Sequence, residues 1–163
     1  MADEDYDVII AAAAAASAAA APLLVVSAAS DAPVVAAVWS GMIYKIARGA
    51  GHELDREAAG RLSVAVVAGA GTYWAGSKLL GVVLSKIPLT MAPAVGTNAL
   101  LNAVFTLRLG HALADLMERP EFDVTDWRYL TEFLMAAMRP RPSVEELQRA
   151  ARLLRRLGTS LAG

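Results

Sequence analysis

The sequence predicts an all-α protein, a multi-helix bundle of six or seven helices with a C-terminal helical appendage. Three observations lead there. Apolar residues recur at three- and four-residue steps in window after window, and no run alternates with the period of two that a half-buried strand shows. Ser, Asp, Pro and Gly punctuate these windows where helices start and stop. Alanine, the best helix former, supplies much of a hydrophobic share of 56%, while aromatic residues make up only 6%. Packing must therefore rely on close backbone approach more than on large side chains.

Asp7 is placed to cap a first helix from about Val8 to Ala21, because its carboxylate can accept the orphan amides of a first turn. The segment AAAAAASAAA gives that helix an even, small-residue surface, and Pro22 stops it before the apolar run Leu23 to Val26. Ser30 or Asp31 then reads as an N-cap, with Pro33 in the first turn. In the helix that follows, to about Arg48, the large residues Val35, Val38, Trp39, Met42, Ile43 and Ile46 form one stripe. Lys45 and Arg48 suit its C-terminal dipole, and Gly49 and Gly51 end it.

Asp55 caps a third helix with Glu57 in its first turn. That helix enters a glycine-studded stretch, AVVAGAGTYWAGSKLLGVVLSK. Glycine costs about 1 kcal/mol in a helix interior relative to alanine. Gly69, Gly71, Gly76 and Gly81 therefore imply a packing reason, or a break near Gly69–Gly71. The spacings Gly71/Ala75, Thr72/Gly76 and Ser77/Gly81 are of the kind that lets two helices touch backbones. Pro88 and Pro93 bracket a loop before a helix from about Ala94 to Glu118, carrying Leu100, Leu101, Val104, Phe105, Leu107 and Leu109. Asp123 and Asp126 offer a cap for a helix to about Met138, with Leu130, Phe133, Leu134 and Met138 inward. RPRP at 139–142 is a stiff break. Ser143 with Glu146 forms a capping box for a last helix to about Gly158, with arginines on one face and Leu147, Ala151, Leu154 and Leu157 on the other.

Charge divides the chain into an acidic segment at 1–7, an apolar small-residue domain at 8–118 and amphipathic C-terminal helices at 119–163. Asp3, Glu4, Asp5 and Asp7 open it, while Arg139, Arg141, Arg149, Arg152, Arg155 and Arg156 crowd its end. This polarity suits head-to-tail contact within or between copies, although solvated termini explain it equally. Residues 8–114 hold only eleven charged side chains, against about one in four residues in an ordinary soluble domain. So little polar surface implies either the centre of an oligomer or a membrane. The chain has no cysteine, which excludes disulfides and thiolate metal sites. An acidic start before the first apolar run argues against a secretory signal. The expected place is cytoplasmic, at the inner face of a membrane in the second reading.

Three windows, 8–30, 62–85 and 87–107, reach the ~20 residues that a span needs. Their alanines, Pro22, Pro88, Pro93, Asn98, Asn102 and Lys78 make them poor spans, and a helical core or oligomer interface is preferred. Insertion of 62–85 with 87–109 as a hairpin is the alternative. Tyr73, Trp74 and Lys78 would then form its polar-aromatic edge, and Arg149, Arg152, Arg155 and Arg156 would meet anionic lipid or an acidic partner.

Several stretches together resemble the YcjF-like GTPase-associated family of bacteria. They are the Ala-rich helix ending at Pro22, Asp31 before a helix, WSGMIYKIARGAG at 39–51, the Gly-rich segment through Gly81, and SKIPLTMAPAVGTNALLNAVFTLRLGHALAD at 85–115. The resemblance covers 8–118 and implies a GTPase as partner. The chain has no Gly-x-x-x-x-Gly-Lys-Ser/Thr to cradle a nucleotide, so that GTPase would act in trans. The family brings no catalytic residues with it.

No nucleophile–base pair, metal cluster or phosphate loop stands out, so no cofactor and no catalysis are expected. His111 and Asp115 share a helix face with Glu118 close by. A metal-dependent hydrolase built on them is the enzymatic alternative, though ordinary i,i+4 pairing explains them as well. His52, Glu53 and Asp55 belong to a helix start. Asn98 and Asn102 lie four apart inside an apolar window, where a buried amide can fix register or oligomer state. Together with Gly71, Ala75, Gly76 and Gly81 they make the candidate interface of a homo-oligomer. Nucleic acid is not expected, since the chain is acidic overall at net −1 and lacks a broad basic face.

Overall fold

The computed structural model describes residues 3–20, 32–75 and 97–161, with side chains at 5–19, 33–69 and 99–156. The chain is all-α. Six helices occupy the described residues: α1 (Asp3–Ala20), α2 (Ala32–Gly49), α3 (Arg56–Ala75), α4 (Thr97–Met117), α5 (Trp127–Met138) and α6 (Val144–Leu161).

Several helix ends follow local chemistry. Past α2, Gly51 adopts φ 84°, the left-handed conformation that a Cβ disfavours. The amide of His52 donates to Ala47 O at 2.9 Å and that of Gly51 to Arg48 O at 3.2 Å. These two bonds are a Schellman C-cap, which satisfies carbonyls the helix leaves open. Asp55 accepts from the Ala58 amide at 2.6 Å, and Asp126 from that of Tyr129 at 3.0 Å, capping α3 and α5. Ser143 and Glu146 form the reciprocal capping box, at 2.7 and 3.2 Å.

Helix α4 is the central rod. Helix α1 lies antiparallel along it, so that Ser17 meets Asn102 and Thr106 while Asp7 faces His111. Helix α2 runs alongside α4 in the same direction, with Trp39 reaching Thr106 and His52, just past the end of α2, reaching Met117. Helix α3 returns along α2 and meets α5. Helix α6 starts beside Arg108 and runs back along α4 towards its N-terminus.

Ile10, Met42, Ile43, Ile46, Leu62, Leu109, Leu113, Leu116, Leu130 and Leu134 are almost wholly buried in one cluster. Burying each such side chain contributes about 1.5–3 kcal/mol. A second cluster joins Ala14, Ala18, Leu100, Ala103 and Val104 to Leu147, Ala150 and Ala151 of α6. The C-terminal helices therefore share their apolar faces with α1, α3 and α4.

Three expectations need correction. Helix α1 starts at Asp3, not Val8, so Asp7 is a mid-helix residue, and Tyr6 is buried at 4% exposure. No break occurs at Gly69–Gly71, where α3 continues to Ala75. Helix α6 runs past Gly158 to Leu161. Ser30, Asp31 and the prolines at 22, 88 and 93 lie outside the described residues.

Candidate interaction surfaces

Among the described residues the buried polar side chains are Ser17, Ser63 and Thr106; Ser63 Oγ donates to Gly60 O at 2.8 Å within α3, and one network holds the other two. Trp39 Nε1 donates to Thr106 Oγ1 at 2.9 Å, and Thr106 Oγ1 donates to the Asn102 carbonyl at 2.7 Å. The hydroxyls of Thr106 and Ser17 are 3.1 Å apart. A hydroxyl has one proton, already given to Asn102, so Ser17 supplies the proton of this contact. Asn102 Nδ2 donates to Ser17 O at 3.2 Å. Ser17 and Thr106 are fully buried, yet each hydroxyl has its partners. The network ties α1, α2 and α4 at one level.

Close backbone approach occurs at two glycines. A Cβ built at Gly110 would lie 2.7 and 2.8 Å from the two γ carbons of Ile10, and 3.1 Å from Met42 Sδ. At Gly69 it would lie 2.6 Å from Met135 Cε. The Gly110 contact sets the α1–α4 crossing, whereas a flexible methionine end makes the second one.

The loop after α4 is held by rings. His52 Nε2 donates to Met117 O at 2.8 Å, which places the proton on Nε2. The His52 and Phe122 rings meet edge-on at 5.8 Å, followed by Phe122–Tyr129 and Tyr129–Phe133 at 6.2 Å each. Arg119 lies over the Phe133 ring, with its Cζ 5.6 Å from the centroid.

The outer faces carry the surface chemistry. Along α1, Val8, Ala12, Ala16 and Ala19 are exposed, and no charged residue falls between Val8 and Ala19. On neighbouring α2 the exposed row runs through Val34, Ala37 and Gly41 and on to Lys45 and Arg48, and among the described residues a Cβ at Gly41 would meet nothing within 4 Å. Val8 is 69% exposed and Val64, on α3, 59%. On α6, Arg149, Arg152, Arg155 and Arg156 are exposed, opposite the buried Leu147, Ala150 and Ala151.

The sequence-derived candidates fall into three groups. Gly71, Tyr73, Trp74 and Ala75 lie in the last turns of α3 and Asn98 in the first turn of α4, but their side chains are outside the described ones. Gly76, Lys78 and Gly81 lie outside the described residues altogether. Asn102 is half-buried and directs its amide to α1 within the same chain. His111 Nδ1 lies 3.8 Å from Asp7, while Asp115 is exposed. Among the described residues no three His, Cys, Asp or Glu side chains gather as metal ligands. Among them, too, no helix is long and apolar enough to cross a membrane. Ser17, Thr106 and Gly110 were not singled out by sequence. A small polar residue or glycine inside an Ala/Leu helix was the available signal.

Comparison with protein-family models, curated proteins and solved structures finds no match to the chain.

Proposed function

We propose that the chain is a non-catalytic helical assembly module that self-associates through its small-residue faces, with a cytoplasmic place of action. The observation that carries this reading is the exposed row Val8, Ala12, Ala16, Ala19 on α1, beside Val34, Ala37 and Gly41 on α2. A helix of a second copy can approach these rows closely between Val8 and Ala19 and between Val34 and Gly41, since the long side chains Lys45 and Arg48 follow only past Gly41, and exposed apolar surface favours association. A GTPase acting in trans is the further partner that the family resemblance implies.

Hairpin insertion into a membrane is the competing reading. Against it, residues 99–109 already pack within the bundle: Leu100, Ala103, Val104 and Leu109 are buried against α1, α2 and α6.

Gly41→Leu tests the assembly reading. A Cβ there meets none of the described residues within 4 Å, the position is exposed and leucine favours the helix over glycine, so the change suits the folded monomer. Light scattering on the purified chain at about 1 M salt, where charge contacts are screened, should show an oligomer that this variant dissociates, with helix content retained. A wild-type chain that is monomeric at micromolar concentration, or an oligomer indifferent to Gly41→Leu and to Ala37→Leu, would defeat the proposal.

A further inference from the structure

The charges of this chain separate along the bundle. Helix α4 ends at Met117, and around that end stand the exposed carboxylates Asp5, Asp7, Glu53, Asp115, Glu118 and Glu121. Lys45, Arg48 and Arg119 accompany them in smaller number, and Arg119 lies over Phe133. Helix α6 begins beside Arg108, nine residues before that end, or about 13 Å at 1.5 Å per residue. It then runs away from the acidic end, because its Leu147, Ala150 and Ala151 cluster with Leu100, Ala103 and Val104. Its outward face carries Arg149, Arg152 and Arg156 at steps of three and four, following Glu145. These positions lie opposite the buried ones, so the row is presented to solvent. Among the described residues Arg149 and Arg152 make no ion pair.

We propose that the arginine row of α6 is a docking face for the acidic end of a second copy, so that copies join head to tail. This rests on the reading of the chain as self-associating and names a second, electrostatic contact besides the apolar one. Charge complementarity selects the occupant: the row is basic, its apolar side is already buried on α4 and is not available to enter lipid, and the opposite end of the same molecule offers a surplus of carboxylates. The contact is heterologous. An assembly so formed still presents Arg149 and Arg152 at one end and the carboxylates at the other, so growth is open unless the rotation closes a ring.

The test is sedimentation velocity of the full chain at about 0.01 M and 1 M salt, where the Debye length is about 30 and 3 Å. At low salt the mass should increase with protein concentration beyond that of the apolar assembly, and at high salt this extra growth should vanish. Arg149→Glu/Arg152→Glu and Asp115→Lys/Glu118→Lys should each abolish the growth, and Arg149→Gln/Arg152→Gln should weaken it. Mixed together, the two reversed variants should associate again, since each offers the other a face of opposite charge: intact acidic end to intact arginine row, and glutamate row to lysine end. Growth in the Gly41→Leu background that is independent of salt, growth there unaffected by either reversal, or reversed variants that fail to associate when mixed would overturn the proposal. So would salt-sensitive flotation of the chain on phosphatidylserine vesicles without any self-association, which would give the row to lipid. Gly41→Leu separates the two contacts: it should leave the salt-dependent growth intact even where it removes the apolar association.

Discussion

Arg108 and Glu146 form a two-pronged pair: Nε donates to one carboxylate oxygen at 2.8 Å and Nη2 to the other at 2.6 Å. The remaining nitrogen, Nη1, donates to Pro140 O at 2.6 Å. One guanidinium on α4 thus clamps both the RPRP break and the first turn of α6. The Arg108 side chain is only 12% exposed and that of Glu146 35%. Planar, two-bond geometry of this kind makes a stronger pair than a single surface contact.

Glu146 should therefore report on acid unfolding. Burial alone raises its pKa, but hydrogen bonds from the Arg108 guanidinium and from the Ser143 amide outweigh burial and hold the carboxyl below its ordinary value. A depressed folded-state pKa gives stability that is complete above the unfolded pKa and lost as pH falls through the folded one. Stability should decline from just above the ordinary glutamate value of about 4.3 downwards. In Arg108→Met this part of the acid limb should shrink, and stability at neutral pH should fall by about 1–3 kcal/mol. Urea titrations at pH 7 and below pH 4 check both. An unchanged acid limb would show that the pair contributes nothing to it.

Gly110→Ala should destabilise the bundle although it improves helix propensity. The gain is about 1 kcal/mol, while overpacking a full core typically costs about 1–3 kcal/mol. The new methyl would press on both γ carbons of Ile10. In an Ile10→Ala background those atoms are gone, and the same Gly110→Ala change should become stabilising. Gly69→Ala is the control. Its neighbour is the half-buried end of Met135, which can swing aside, so the change should be neutral or gain up to ~1 kcal/mol. A double-mutant cycle on chemical denaturation measures the sign reversal.

The helices were legible because their signals are local. Asp55, Asp126, the Ser143–Glu146 box and Gly51 each act within a few residues of themselves, and each sits where its chemistry predicts. The buried stripes of α2 and α5 follow from spacing alone. The start of α1 was not legible, since the three acidic residues before Asp7, namely Asp3, Glu4 and Asp5, suit a helix start as well as Asp7 does. Of the two readings of Gly69–Gly71, a packing reason or a break, the packing reason holds at Gly69, but its partner Met135 lies far away in sequence and could not be named from it. For the same reason Ser17, Thr106 and Trp39 could be read as separate residues but not as one network. Its partners are 67 and 89 positions apart, and nothing local specifies them. The exposed rows of α1 and α2 were equally hidden, because an alanine helix offers no large residues to mark which side faces in.

Thr106 should behave as the keystone of that network. In Thr106→Val the shape is kept while the acceptor of the Trp39 indole N–H and of the Ser17 hydroxyl is lost. Both donors stay buried, Trp39 at 3% exposure and Ser17 at 0%, and an unsatisfied buried donor costs about 1–3 kcal/mol. Thr106→Ser retains the hydroxyl and loses only a methyl group, so it should cost about 0.8 kcal/mol. The two substitutions thus separate hydrogen bonding from packing. Adding Trp39→Phe to Thr106→Val removes the stranded indole donor, and the pair should cost less than the sum of the single changes, because removing both partners of a bond is milder than removing one. Equilibrium unfolding of the four variants measures this coupling, and the indole N–H resonance of Trp39 reports the bond itself. A Thr106→Val protein as stable as Thr106→Ser, with that resonance unmoved, would mean that Trp39 does not depend on Thr106 for its partner.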